Sequence, residues 1–154
     1  MATVSTIHQW NVVDSAVTVI TVPSDCLNDS SLTMLDLTRF KRLKKIVIGD
    51  ECFMYVGVFS ITGLSELESV EIGMNSFTKN KNGYGSDPNR HFYLKDCPKL
   101  KSLKMGRYSF SDYSVIEIEN VDALEEIKMG ELNEESNNFI CASLELKSIL
   151  IHSE

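Results

Sequence analysis

The sequence is poor in positive charge. Its 15 Lys and Arg residues face 22 Asp and Glu residues, giving a net charge of −7 and a pI near 5.0. A chain of that sign is not built to hold nucleic acid or an anionic membrane surface. No apolar run approaches the roughly 20 residues of a membrane span, so no membrane insertion is expected. There is no C-x-x-C pair either. Cys26, Cys52, Cys97 and Cys141 stand far apart, which leaves zinc and thioredoxin-like sites without support. His8, His91 and His152 also lack ligand spacing, and no metal or other cofactor is expected. The opening Met1-Ala2-Thr3-Val4 has neither the basic start nor the apolar stretch of a signal peptide, so the expectation is a cytoplasmic protein or a fragment whose leader has been removed, with the cytoplasm favoured. What remains is 154 residues of globular composition, 43% hydrophobic and 24% charged. That is enough for one domain and too apolar for disorder.

What the sequence does contain is repetition. Four stretches close on the same phrase, L-x-x-Φ-x-Φ-G with Φ aliphatic: Leu43 to Gly49, Leu67 to Gly73, Leu100 to Gly106 and Leu124 to Gly130. The glycines are 24, 33 and 24 residues apart, and the first three phrases run on to Phe53, Phe77 and Phe110. A second phrase, Φ-x-Φ-x-x-Φ, precedes each one, as in Phe59-Ile61-Leu64 and Phe92-Leu94-Cys97. Degenerate copies flank the four. Val17 to Leu27 carries Pro23 for Gly and Leu27 for Phe, and Leu144-Glu-Leu146 is followed by a shortened phrase ending at Ile151. Terminal repeats are atypical because they cap a stack. One domain is therefore expected over 1–154, with an irregular N-terminal unit over 1–30, regular repeats over 31–143 and a truncated unit over 144–154.

The spacing within a unit excludes an amphipathic helix, which needs alternating steps of three and four. Steps of two make short strands with both Φ residues on one face. The steps of three between them suit a turning arc, and the glycine is expected to supply a turn through positive φ. One unit cannot bury its own apolar side, but stacked units can, through parallel pairing of equivalent strands. Like residues then form ladders: aliphatic columns, a Phe column, and a column of small residues at Cys26, Cys52, Ser76 and Ser109. The cysteines of that column read either as buried thiols or as a disulfide between neighbouring units.

These units resemble leucine-rich repeats, and most closely the BspA-like subclass of bacteria and protists. Cys97-Pro-Lys-Leu100-Lys-Ser-Leu103-Lys-Met105-Gly106-Arg-Tyr-Ser109-Phe110 is similar to that subclass's unit, with Gly for its Pro and Ser for its Ala. The resemblance implies a mainly β, right-handed leucine-rich-repeat solenoid of about six coils, with two parallel β-sheets and little helix. It also implies a role in binding another protein, and a cell-surface location as the alternative to the cytoplasm.

Candidate binding residues fall in two places. Glu71, Lys104 and Lys128 lie at outward positions of the L-x-x-Φ-x-Φ-G phrase. Lys79, Lys81, Tyr84 and Arg90 lie in the longer of two insertions, near 79–91; the shorter is near 131–138. Both insertions are expected after the G-x-x-x-F segment, emerging from one edge as projections, with 80–88 removable. No paired carboxylates or Ser/His/Asp set converges, so no enzyme is expected. Two further readings stay open: a structural or self-associating segment of a longer array, and a carbohydrate-binding or carbohydrate-active parallel β-helix.

Overall fold

The computed structural model describes residues 1–81, 86–130, 136–139 and 142–147. Among the described residues the chain is mainly β, with two parallel sheets and one short helix. Each L-x-x-Φ-x-Φ-G phrase forms a strand: β4 (Lys45–Ile48), β6 (Ser69–Ile72), β8 (Ser102–Met105) and β10 (Glu126–Met129), with β2 (Val19–Val22) from the degenerate first copy. Joined by β1 (Ala2–Thr3), they make a six-stranded sheet ordered β1-β2-β4-β6-β8-β10. The other phrase forms β3 (Met34–Asp36), β5 (Val58–Thr62), β7 (Asp87–Lys95), β9 (Tyr113–Glu119) and β11 (Ser143–Lys147), a second sheet ordered β11-β9-β7-β5-β3. From β2 onward, successive strands alternate between the two sheets.

Register follows the repeat. Ile20, Ile46, Val70, Leu103 and Ile127 lie side by side in the first sheet. Phe59, Phe92 and Ile116 do so in the second. The 33-residue interval pairs Ser69 with Ser102 without slipping, so the insertion leaves the aliphatic ladders intact. A slip of one residue would turn every apolar side chain outward, which is why the pattern specifies pairing so firmly. Between the sheets runs the Phe column. Phe53–Phe77, Phe77–Phe110 and Phe110–Phe139 stack at centroid separations of 5.1, 4.7 and 4.8 Å. Trp10 covers the N-terminal end, edge-on to Phe40 and Phe53. It rides on α1 (Ile7–Val12), which a Thr6/Gln9 capping box starts.

The turns differ from expectation. Gly130 has the expected positive φ (71°), but Gly49, Gly73 and Gly106 do not; in those three units the left-handed residues come two and four positions later, at Glu51 and Phe53, Asn75 and Phe77, Tyr108 and Phe110. Glycine is required instead by close approach. A Cβ on Gly73 would sit 2.2 Å from Asp50 Oδ1 and 2.7 Å from the Asp50 nitrogen, and one on Gly106 would sit 2.5 Å from the Met74 nitrogen. Pro23 stands in the first such turn.

The small-residue column lies between the two left-handed positions and carries the hydrogen bonds that join the turns. Ser76 Oγ donates to the Gly49 carbonyl (2.8 Å) and accepts from the Cys52 amide (3.1 Å). Ser109 Oγ repeats this with Gly73 (2.6 Å) and Ser76 (3.0 Å). Asn138 continues it, donating to the Gly106 carbonyl at 2.8 Å.

The shorter insertion is also placed differently. Phe139 has φ 50°, stacks on Phe110 and donates its amide to the Phe110 carbonyl, so it is the fourth member of the Phe column. The extra residues therefore precede that Phe, between Gly130 and Asn137, whereas those of the longer insertion follow Phe77. The two do not share one place in the unit.

Candidate functional site

The outer face of the first sheet is built by strand alternation. Val70 and Ile72 point into the core, which turns Ser69 and Glu71 outward, and the neighbouring strands follow suit. Register then brings Val47, Glu71, Lys104 and Lys128 into one row across β4, β6, β8 and β10. At the usual strand spacing, Glu71 and Lys128 are about 10 Å apart with Lys104 between them. Glu71 also pairs with Lys45 at 3.6 Å. An open groove is lined by Glu71, Lys104 and Lys128 together with Ile72, Met105, Gly106 and Gly130. The three outward residues singled out in the sequence are thus brought together on one surface.

The insertion residues are not. Tyr84 lies outside the described residues, as do Cys141 and residues 149–151. Lys79 is exposed, with its Nζ 5.6 Å from the centre of the Tyr55 ring. Lys81 is exposed and reaches back to Glu51 at 3.5 Å. Arg90 is a correction: it is only 2% exposed and points inward. Its Nε lies 3.3 Å from Asp112 Oδ1, its Nη2 donates to the Met54 carbonyl at 2.8 Å, and its guanidinium lies 5.1 Å from the centre of the Tyr113 ring. Nor is 80–88 all projection. Asp87 and Pro88 belong to β7, and Asp87 pairs with Tyr113. Asn80 donates from its backbone to Thr78 Oγ1 at 2.9 Å, and the Lys79 amide donates to Asp112 Oδ2 at 3.0 Å.

The sequence reading missed this buried polar group altogether. Asp112 is 3% exposed; Tyr113 is fully buried, and its hydroxyl donates to the Val56 carbonyl. Burial pushes the Tyr113 hydroxyl far above the ordinary tyrosine range. Ser111 and Thr78 hydroxyls meet at 2.9 Å. The group ties the base of the longer insertion to the next unit. A signal for Arg90 was available: the inward alternation Leu94, Phe92 extends back two residues to it.

On the outer face of the second sheet, Lys95 bridges Glu117 (3.1 Å) and Glu119 (3.2 Å). The hydrogen bond that Lys95 donates to Glu117 leads in raising its pKa, with burial opposing. Cys26, Cys52 and Cys97 are free thiols. Burial raises the Cys52 thiol to about 11 and raises that of Cys97 as well. Among the described residues, no group of three or more His, Cys, Asp and Glu side chains is placed to hold a metal ion. No protein-family model, curated protein or solved structure matches the chain.

Proposed function

We propose that the chain is a non-enzymatic protein-binding module, a leucine-rich-repeat solenoid of about six coils akin to the BspA-like class, and that it binds through the outer face of the first sheet. Strand-by-strand alternation between two parallel sheets, in register with the sequence repeat, supports the solenoid reading. One observation carries the binding reading: Glu71, Lys104 and Lys128, on separate repeats, stand in one row beside an open groove. Charges of both signs on a surface held by the backbone favour orientation and selection of a partner over bulk attraction.

A pull-down from native lysate tests this, using wild type and a K104E/K128E double variant of unchanged far-UV spectrum. Wild type should retain a partner that the variant loses. Equal retention by both would refute the assignment to this face. Tyr84→Ala tests the insertion in parallel: loss by that variant alone moves the site there.

A further inference from the structure

The arc that leads into the first sheet carries a column of charge. Lys44, Glu68, Lys101 and Glu125 hold the same place in four successive units, one residue before β4, β6, β8 and β10. Their backbones are joined directly. The Glu68 amide donates to the Lys44 carbonyl at 2.8 Å, that of Lys101 to Glu68 at 2.9 Å and that of Glu125 to Lys101 at 2.9 Å. The column is therefore straight, with about 5 Å between members and about 14 Å from end to end. All four residues are exposed, and among the described residues none of them finds an ion-pair partner.

Along the stack the signs run plus, minus, plus, minus. Such a row complements itself when it is reversed. A copy laid on it in the same direction sets like against like unless it slips by one unit, and a slipped contact does not close. A reversed copy with its axis through Glu68 or Lys101 also sets like against like. With the axis between those two residues, Lys44 faces the partner's Glu125 and Glu68 faces the partner's Lys101, and symmetry repeats both pairs.

We infer that this arc joins a second copy of the chain, with the stacks antiparallel and a two-fold axis passing between Glu68 and Lys101. The neighbouring column obeys the same operation. It reads Arg42, Glu66, Lys99 and Ala123, so Glu66 faces the partner's Lys99 and Arg42 faces an uncharged residue. Glu66 and Lys99 already meet at 3.1 Å within the chain. With their copies they close a ring of four alternating charges, the arrangement in which exposed ion pairs count for most. The partner is a second copy because the pattern is its own complement under a closed symmetry.

Sedimentation equilibrium on the full chain over a wide concentration range tests this. Wild type should dimerise in about 0.05 M salt and dissociate about tenfold more readily in about 1 M salt. Lys44→Glu or Glu125→Lys alone turns two pairs between copies into like charges and should weaken the dimer about tenfold or more. The double variant K44E/E125K restores opposite charges between copies and should recover wild-type affinity. Within one chain that exchange sets like charges side by side at both ends of the column, so recovery can come only from pairing between copies. None of these exposed substitutions should alter the far-UV spectrum. A wild-type chain that stays monomeric at low salt would overturn the proposal and give the column to a different protein. A dimer that both single variants leave unchanged would overturn it equally, as would a double variant no better than the singles.

Discussion

Three glycines in this chain predict three different outcomes on substitution by alanine. At Gly73 the new methyl group would stand 2.2 Å from Asp50 Oδ1 and 2.7 Å from both the Asp50 nitrogen and the Gly49 carbonyl carbon. Neither neighbour can retreat freely. The Gly73 amide is bonded to the Ile48 carbonyl at 2.8 Å, and Asp50 Oδ1 accepts from the Met74 amide at 2.8 Å. Displacing the carboxylate forfeits that bond, about 1 kcal/mol. Parting two backbones held in register adds about 2 kcal/mol of strain. Gly73→Ala should therefore lose about 3 kcal/mol, lowering a urea midpoint by about 1.5 M for a slope near 2 kcal/mol/M. At Gly57 a methyl group meets nothing nearer than 3.5 Å and φ is not positive. Gly57→Ala should be neutral or stabilise by about 0.5 kcal/mol through the unfolded chain. Gly63 has space, with Lys41 Nζ at 3.8 Å, but a φ of 70°. Gly63→Ala should cost about 1 kcal/mol from backbone strain alone. Urea unfolding of the three variants checks the order. Equal midpoints for Gly73→Ala and Gly57→Ala would refute the claim that close approach of adjacent turns demands glycine.

Other expectations concern buried groups. Asp112→Ala leaves the Arg90 charge buried and the Lys79 amide without its acceptor, and should cost about 3–5 kcal/mol, whereas R90M/D112N should recover most of that loss in a double-mutant cycle read by urea unfolding. Cys52 stays protonated in the fold to about pH 11, above its unfolded value, so its contribution to stability is complete below about pH 8.5 and fades as pH rises through 11. Cys52→Ser should fold, because Ser76 and Ser109 already fill that column, and its melting temperature should fall less between pH 8.5 and 11 than that of wild type. Ile72→Asp buries a carboxylate between β4 and β8 and should cost about 3 kcal/mol or more, while Glu71→Lys should shift the melting temperature only slightly, its bridge to Lys45 being exposed.

Apart from β1, which stands outside the repeat, the strands of both sheets, their pairing and the Phe column were legible because each repeats, and a ladder of like residues has one register that buries it. Position Gly49 was legible as glycine, but not for the right reason: a turn's φ is local, whereas contact with Ser24 of the preceding unit is not. Phe139 was missed because the shorter insertion moves it from four to nine residues beyond its glycine. α1 was missed because it stands outside the repeat and has a single buried residue, Trp10. Arg90 was misread because a charged residue in a polar stretch looks solvated. Its burial depends on Asp112 and Met54, which no local pattern links to it. The outward row was legible by alternation alone, although its groove is a product of register.

The binding face is most directly tested by mapping. With a captured partner in hand, amide chemical shifts of ¹⁵N-labelled chain should move at Val47, Glu71, Lys104 and Lys128 and their outward neighbours on the first sheet, while Ser60, Tyr93 and Glu117 on the second sheet stay in place. Perturbation centred on the second sheet or on the 79–91 insertion, with the Glu71 row unmoved, would contradict the account.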